Sequence, residues 1–379
     1  MSNSNLYDTA IIGGGLAGLC LSIQLAKQGF KIILFEKEQY PFHKVCGEYI
    51  SMESWSFLES LGLPLYKMQL PVIKKLMITS PAGTALQHDL PLGGFGISRY
   101  KIDNDLKEIS LGLGVKLLEN CKAEEVIFKD DIFYITTTKG NFTAKVCCGS
   151  FGKRSNLDVK WKRPFTQSAK GKLNNYIGIK YHIKTDCAPG TIALHNFKNG
   201  YCGISKIEDD KYCLCYLTNA ANLKESNNSI DEMEKNILSA NPYLKNIFAN
   251  STKLYAAPLS ISQISFQHKT QIENNVLLLG DAAGMITPLC GNGMSMAMHG
   301  SKIAAVNISA FLTNAVSRKI MENNYLKTWN KTFAKRLRTG RMVQYFFGKT
   351  GVTNLFIKAM KQLPFITTKL IEQTHGKPF

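Results

Sequence analysis

Asp8-Thr-Ala-Ile-Ile-Gly13-Gly14-Gly15-Leu16-Ala17-Gly18, with Glu36 eighteen residues on, is the stretch that decides the fold. Asp8 to Ile12 reads as a short buried strand. Leu19 to Gln28 has helical periodicity and stops at Gly29, and Lys31-Ile-Ile-Leu-Phe35 reads as a second strand. This is a βαβ unit with GxGxxG at Gly13, Gly15 and Gly18. The first glycine permits the tight turn, the second lets the backbone approach a pyrophosphate, and the third lets helix and strand pack closely. The helix N-terminus presents amides and a positive dipole end to the phosphates. Glu36 stands where a carboxylate accepts from ribose hydroxyls, and it repels a 2′-phosphate. The reading is a site for FAD or NAD rather than NADP.

Outward from that unit, 379 residues suit two to three domains. A hydrophobic share of 45% and a charged share of 20% exclude a disordered or collagen-like chain. No apolar run reaches the ~18 residues of a membrane span. The best, Ile303 to Leu312, is interrupted by Asn307 and Ser309. The start, MSNSNLYD, lacks the features of a signal peptide, so a cytoplasmic location is expected. Forty-six Lys and Arg against 28 Asp and Glu give a net charge of +18. That suits an anionic cofactor, a lipid surface or an acidic carrier protein, or simply a lysine-rich solvated surface. Nucleic acid is not expected, because the basic residues are scattered without a recognised motif. The ten cysteines form no CxxC pair and no zinc spacing, so no metal site is expected.

A second motif lies far along the chain. Asn275-Val-Leu-Leu-Leu279 is a buried strand, followed by Gly280-Asp281-Ala-Ala-Gly284, then Pro288-Leu-Cys290-Gly291-Asn-Gly293-Met294 and a long helix to Leu312. With both motifs present, the chain resembles the FAD-dependent oxidoreductases that include the aromatic-ring hydroxylases and the geranylgeranyl reductases. The resemblance implies an α/β, glutathione-reductase-like fold. A Rossmann-type FAD-binding domain would interleave with a mixed or antiparallel-sheet substrate domain, and the C-terminus would be helical. It implies that Asp281 binds the ribityl chain and that the glycine-rich helix start brings amides to the flavin ring.

Between the two ends, Lys44-Val45-Cys46-Gly47-Glu48 is similar to the Lys/Arg-x-Cys-Gly segment of the geranylgeranyl reductase branch. Lys44 would neutralise the pyrophosphate as a point charge. Ser98-Arg99-Tyr-Lys-Ile-Asp103 resembles the superfamily's arginine motif, in which Arg99 pairs with phosphate or orders the Lys44 loop. The implied FAD contacts are Gly13, Gly15, Leu16, Ala17 and Gly18; Glu36 and Lys37; Lys44, Val45, Cys46 and Gly47; Arg99 and Val126; and Gly280, Asp281, Gly291, Gly293 and Met294. One departure matters. In Cys148-Gly-Ser-Phe151-Gly-Lys153-Arg154-Ser155, Phe151 holds the place of the hydroxylases' Asp-Gly acid. A second GxGxxG for NAD(P)H is absent.

The middle changes character. Tyr176–Ile183, Thr191–His195, Tyr201–Lys206 and Lys211–Leu217 read as antiparallel strands, turning at Asn199-Gly200 and Asp209-Asp210. One helix is expected from Ser229 to Ala240. The expected domains are 1–70, 96–158 and 271–315 for FAD, 71–95 and 159–270 for substrate, and 316–379 as C-terminal helices. That tail reads as two or three basic amphipathic helices, with Lys331, Lys335, Arg336, Arg338 and Arg341 ahead of Tyr345-Phe-Phe347. Peripheral contact with lipid or an acidic carrier is one reading of it, and packing on the flavin domain is the other.

Flavin supplies the redox chemistry, so no strong acid–base constellation is required. Cys46 and Cys290 fall in the two flavin-adjacent loops, as proton donors, redox partners or polarizable walls. Glu48 is a proton donor or a structural ion-pair partner. The sequence reading is an FAD-dependent reductase or dehydrogenase of C=C bonds in a hydrophobic, lipid or polyketide-type small molecule, with NADH or NADPH as electron donor. The alternatives are an NAD(P)H-dependent FAD monooxygenase and a flavin-binding redox or assembly module without turnover.

Overall fold

β1 (Leu6–Ile12) leads through Gly13–Gly15 into α1 (Leu16–Ala26), which begins three residues earlier than its apolar periodicity predicts, and on to β2 (Ile32–Phe35). The computed structural model describes residues 6–167, 175–287, 291–346, 349–374 and 376–379, with the backbone alone for 343–346, 364, 366, 371 and 374. Two sheets organise the chain.

The first sheet runs β16 (Ile272–Glu273), β17 (Val276–Leu278), β9 (Gly140–Gly149), β1, β2 and β6 (Lys116–Leu118). β7 (Ala123–Lys129) and β8 (Ile132–Thr137) join it through β9. From β17 to β6 the strands are parallel, and Leu278, Gly149, Ile12 and Phe35 share a register. Both sequence motifs therefore leave the sheet at one edge, at the carboxyl ends of parallel strands, where such sheets place ligands. Strands buried on both faces explain why they read as continuous apolar runs rather than alternations. α1 packs against α9 (Gly293–Leu312) and α3 (Arg99–Gly112). Met294, Met296 and Met298 are buried in this core.

The second sheet runs β14 (Thr252–Lys253), β10 (Tyr176–Lys184), β13 (Tyr212–Asn219), β12 (Gly200–Lys206), β11 (Thr191–Phe197), β4 (Val72–Thr79), β5 (Ala85–Gly96) and β3 (Tyr49–Ser51), with β15 (Leu259–Ile264) beside β10. All pairs are antiparallel except β11 with β4, so the sheet is mixed. β3 lies inside the segment expected in the FAD domain, yet it pairs with β5 and so stitches the two lobes together. The expected helix from Ser229 is shorter. Ser229 caps α7 (Ile230–Asn236), and a 3-10 turn at Leu238–Ala240 follows. α6 (Ala220–Glu225) and α8 (Pro242–Asn250) flank it, each capped by an Asn side chain. Ile179, Tyr181, Leu214, Tyr216 and Ile204 bury one face of this sheet against Met233, Leu238, Leu244 and Ile247. Because strand side chains alternate, Gly178, Lys180, His182, Cys213, Cys215 and Leu217 point to the other face.

The remaining helices are α2 (Trp55–Leu61), α4 (Asn156–Lys160), α5 (Pro164–Gln167), α10 (Arg318–Phe346), α11 (Thr350–Gln362) and α12 (Pro364–Thr374). Among the described residues the tail is thus three helices. No helix among the described residues is long and apolar enough to cross a membrane.

His195 on β11 is buried, with Nδ1 2.9 Å from Thr79 Oγ1 and its ring stacked on Tyr243. Burial holds its pKa down at about 4. The unfolded chain takes up this proton near pH 6.5 and the folded chain resists it, so stability falls as pH drops from about 6.5 to 4. We expect His195→Gln to make that decline shallower by up to about 3 kcal/mol in denaturant melts across this window. An unchanged pH slope would show that His195 is not held neutral.

Candidate functional site

Gly13 has φ +104°, and a Cβ there would come within 2.6 Å of the Ser150 carbonyl oxygen. A Cβ on Gly18 would fall on the Gly13 carbonyl and within 2.5 Å of Ser150 Oγ. These contacts are the physical reason for the first and third glycines. Gly15 differs, because its Cβ position faces only Arg99 Nη2 at 3.6 Å and Lys44 Nζ at 3.8 Å. Bare backbone at the start of α1, with no side chain capping that helix, thus meets two cations. The donor set fits a diphosphate. Glu36 is buried at the end of β2 and accepts from the Gly14 amide at 2.8 Å and the Glu38 amide at 3.1 Å. The Tyr40 hydroxyl donates to the Gly14 carbonyl. Lys37 turns to solvent beside Glu38, 3.4 Å away.

Asp103 joins the arginine motif to the Lys44 loop. Its buried carboxylate accepts from Arg99 Nε at 2.8 Å and Nη2 at 2.7 Å, and pairs with Lys44 at 3.1 Å. Burial would raise its pKa, but Arg99 and Lys44 outweigh that and hold it below the usual carboxylate range. Arg99 therefore orders the Lys44 loop through a shared carboxylate.

Glu48 ends the same loop with φ +55°, in the left-handed region. Its carboxylate is fully buried. It accepts from Lys180, pairs with His182 Nε2 at 2.6 Å, and accepts from the Arg99 amide at 2.7 Å. Burial alone would raise its pKa, but His182 and Lys180 bring it below the ordinary value. Glu48 is thus a carboxylate held by Lys180 and His182, which is the ion-pair arrangement of the two readings. Lys180 also donates to the Lys44 carbonyl at 3.1 Å, and Cys213 to the Cys46 carbonyl at 3.2 Å. Glu48, His182 and Cys213 could share a metal ion by distance, but Lys180 already supplies the cation at that carboxylate.

The second motif converges on the first. Gly280 (φ +56°) sits between Ala17 of α1 and Ala297 of α9. Burial raises the pKa of Asp281, against Lys269, Arg99 and Lys153. Buried Lys269 donates to the Asp281 carbonyl at 2.7 Å and the Lys153 carbonyl at 2.6 Å, and burial lowers its pKa to about 8. Arg163, also buried, pairs with Asp158 at 2.6 Å and donates to the Ala282 carbonyl at 3.1 Å. Phe151 packs its ring 6.2 Å from Trp161, so an apolar contact stands where the hydroxylases hold an acid.

Cys46 Sγ lies 3.6 Å from Met294 Sδ, so the Cys-Gly loop meets the start of α9. Burial pushes the Cys46 thiol up, outweighing Arg99, and it keeps its proton at neutral pH. Val45 packs toward Gly178, and Gly47 accepts from Ser205 Oγ at 3.4 Å. Beyond these loops, Leu194, Tyr201, Leu217, Ile264, Phe266 and Met285 form an apolar cluster on the inner face of the second sheet. Met285 lies four residues past Asp281, so the cluster abuts the flavin-type loops.

Gly291 faces Tyr49, and Val126 is buried within β7. Cys290 lies outside the described residues. Sequence reasoning missed Tyr40, Lys180, His182, Arg163 and Lys269, which carry no local motif. Asp103 had a signal, since it follows Arg99 by four residues and so shares its helix face.

A model of the NAD(P)-binding Rossmann-like domain matches residues 11–45. The chain is 23% identical over 385 residues to conditioned medium factor receptor 1 of Dictyostelium discoideum, covering 91% of this chain and 71% of that protein. It is 24% identical over 370 residues to digeranylgeranylglycerophospholipid reductase 1 of Methanococcoides burtonii, covering 90% and 84%. The structure of a flavin-dependent brominase superposes with TM-score 0.79 at 20% identity, over 97% of this chain and 93% of that one.

Proposed function

We propose, for a chain with the fold of the FAD-dependent oxidoreductases, that it reduces or dehydrogenates a carbon–carbon double bond of a hydrophobic small molecule. The apolar face of Leu194, Tyr201, Leu217, Ile264 and Met285 beside the flavin-type loops carries this reading. The substrate would lie beside this buried cluster, against the second sheet. FAD would be held by the α1 amides, Lys44 and Arg99 at its diphosphate, Glu36 at its ribose, Asp281 at its ribityl chain, and Gly293 and Met294 at its ring. When bound, FAD supplies two-electron chemistry. Asp103 and Glu48 fix the Lys44–Glu48 loop as ionised anchors. Cys46 would stand beside the flavin-type loops with its thiol protonated, as a wall or as a proton donor.

A second reading is the monooxygenase alternative, in which the same flavin site uses oxygen; a flavin-dependent brominase shares the fold. One experiment separates the two. Purified yellow protein is mixed anaerobically with NADH or NADPH and candidate polyunsaturated lipids or aromatics, with flavin absorbance and product mass as readouts. The reductase reading expects flavin bleaching and a saturated product without air. Product formed only after air is admitted, with a mass gain of oxygen or added halide, overturns it for the oxygen-using reading. Cys46→Ser with wild-type turnover would assign that sulfur to the wall alone.

A further inference from the structure

The last helices concentrate the chain's charge. From Arg318 to Phe379 there are thirteen Lys or Arg and two acids, so +11 of the net +18 lies in 62 residues. The sequence reading placed a contact surface on Lys331 to Arg341 and Tyr345-Phe-Phe347. Of those cations Lys331, Lys335 and Arg338 are exposed. Arg336 is turned inward to Glu53 at 2.8 Å, the side chains of Tyr345 and Phe346 are not described, and Phe347 lies outside the described residues.

α11 has two different apolar sides. Ile357 and Met360 pack inward on Leu86 of β5. Val352 and Leu355, three apart and off the face of Ile357 and Met360, point out, 41% and 71% exposed. Leu363 at the turn into α12 is 50% exposed, and Phe365 is 76% exposed. Phe365 and Leu355 are the two most exposed large apolar side chains among the described residues. The turn itself is pinned, since the Thr367 hydroxyl donates to the Met360 carbonyl at 3.0 Å. Exposed Lys358, Lys361 and Lys369 flank these apolar residues.

We propose that the α11–α12 ridge is a seat for an anionic lipid bilayer. Leu355, Leu363 and Phe365 enter the interfacial layer, and the flanking lysines meet lipid phosphates. Charge complementarity argues for the occupant, because a cationic rim around protruding apolar side chains matches a negatively charged, deformable surface. The inference stands whichever redox reading of the flavin site holds.

The test is flotation of the full, FAD-loaded protein with vesicles of phosphatidylcholine alone or mixed equally with phosphatidylglycerol. Binding at least about tenfold stronger to the anionic vesicles, and weakened by salt, is expected. The double variant Leu355→Ser, Phe365→Ser should lose about tenfold or more while keeping its FAD and unfolding midpoint, since both side chains are exposed. If that variant does not fold, Lys358→Gln, Lys361→Gln, Lys369→Gln should show the same loss on anionic vesicles alone. No vesicle binding, equal binding to both vesicles, or wild-type binding by the variants overturns the proposal. So does a self-associated wild type that fails to bind vesicles and whose assembly the variants break. Binding to an acidic carrier protein without vesicle binding overturns it as well.

Discussion

Replacing Glu48 by alanine should destabilise the protein by about 3–5 kcal/mol, seen as a lower urea unfolding midpoint at pH 7. The reason is what remains. Lys180 is 1% exposed and would be left buried without its counter-charge, with the Arg99 amide and His182 Nε2 unpartnered as well. Removing one member of a buried pair costs more than removing both. Lys180→Met added to Glu48→Ala should therefore recover part of the loss, a coupling that a double-mutant cycle reads directly. The pH dependence has a definite sign. The folded pKa of Glu48 is depressed, so its contribution is complete above the ordinary carboxylate value and is lost as pH falls through the lowered one. A wild-type midpoint for Glu48→Ala would refute the view that this cluster holds the Lys44–Glu48 loop.

Gly18→Ala should yield protein with little or no bound FAD. The added Cβ falls on the Gly13 carbonyl and beside Ser150 Oγ, both fixed at the carboxyl ends of β1 and β9. α1 must move away from the sheet, and its amides leave the diphosphate position shared with Lys44 and Arg99. A tenfold fall in FAD affinity, about 1.4 kcal/mol, is the least such a shift should produce. Overpacking should add about 1–3 kcal/mol of instability. Gly112→Ala is the matched control, because nothing lies within 4 Å of that Cβ position. Its cofactor content should equal wild type. Full FAD occupancy in Gly18→Ala would show that α1 does not carry the diphosphate.

The sequence by itself determined the parts whose chemistry is local. Gly13, Gly15 and Gly18 declare a turn, a bare approach and a close packing, and Glu36 follows at the end of the next strand. The Gly280-Asp281 turn after an apolar strand was legible in the same way, as were the hairpins at Asn199-Gly200 and Asp209-Asp210, where Asn199, Asp209 and Asp210 adopt positive φ. Those signals sit within a few residues of the backbone geometry they cause. Helix ends were less legible. α1 begins at Leu16 because the chain turns at Gly13 and Gly15 is its extended cap residue, and the helix after Ser229 breaks early.

Only the tertiary structure decided what Glu48, Arg99 and the tail do. Glu48 acquires its role from Lys180 and His182, more than 130 positions away on one face of β10, where alternation along a strand aims both at the same carboxylate. Arg99 and Lys44 act together because Asp103 stands between them, and Cys46 meets Met294 across 248 positions. The tail was legible as basic and amphipathic, but which of its cations are spent inward, as Arg336 is on Glu53, depends on the surface each helix packs against. A buried charge is stable only with its partner in place, and that partner is supplied by topology rather than by neighbouring sequence.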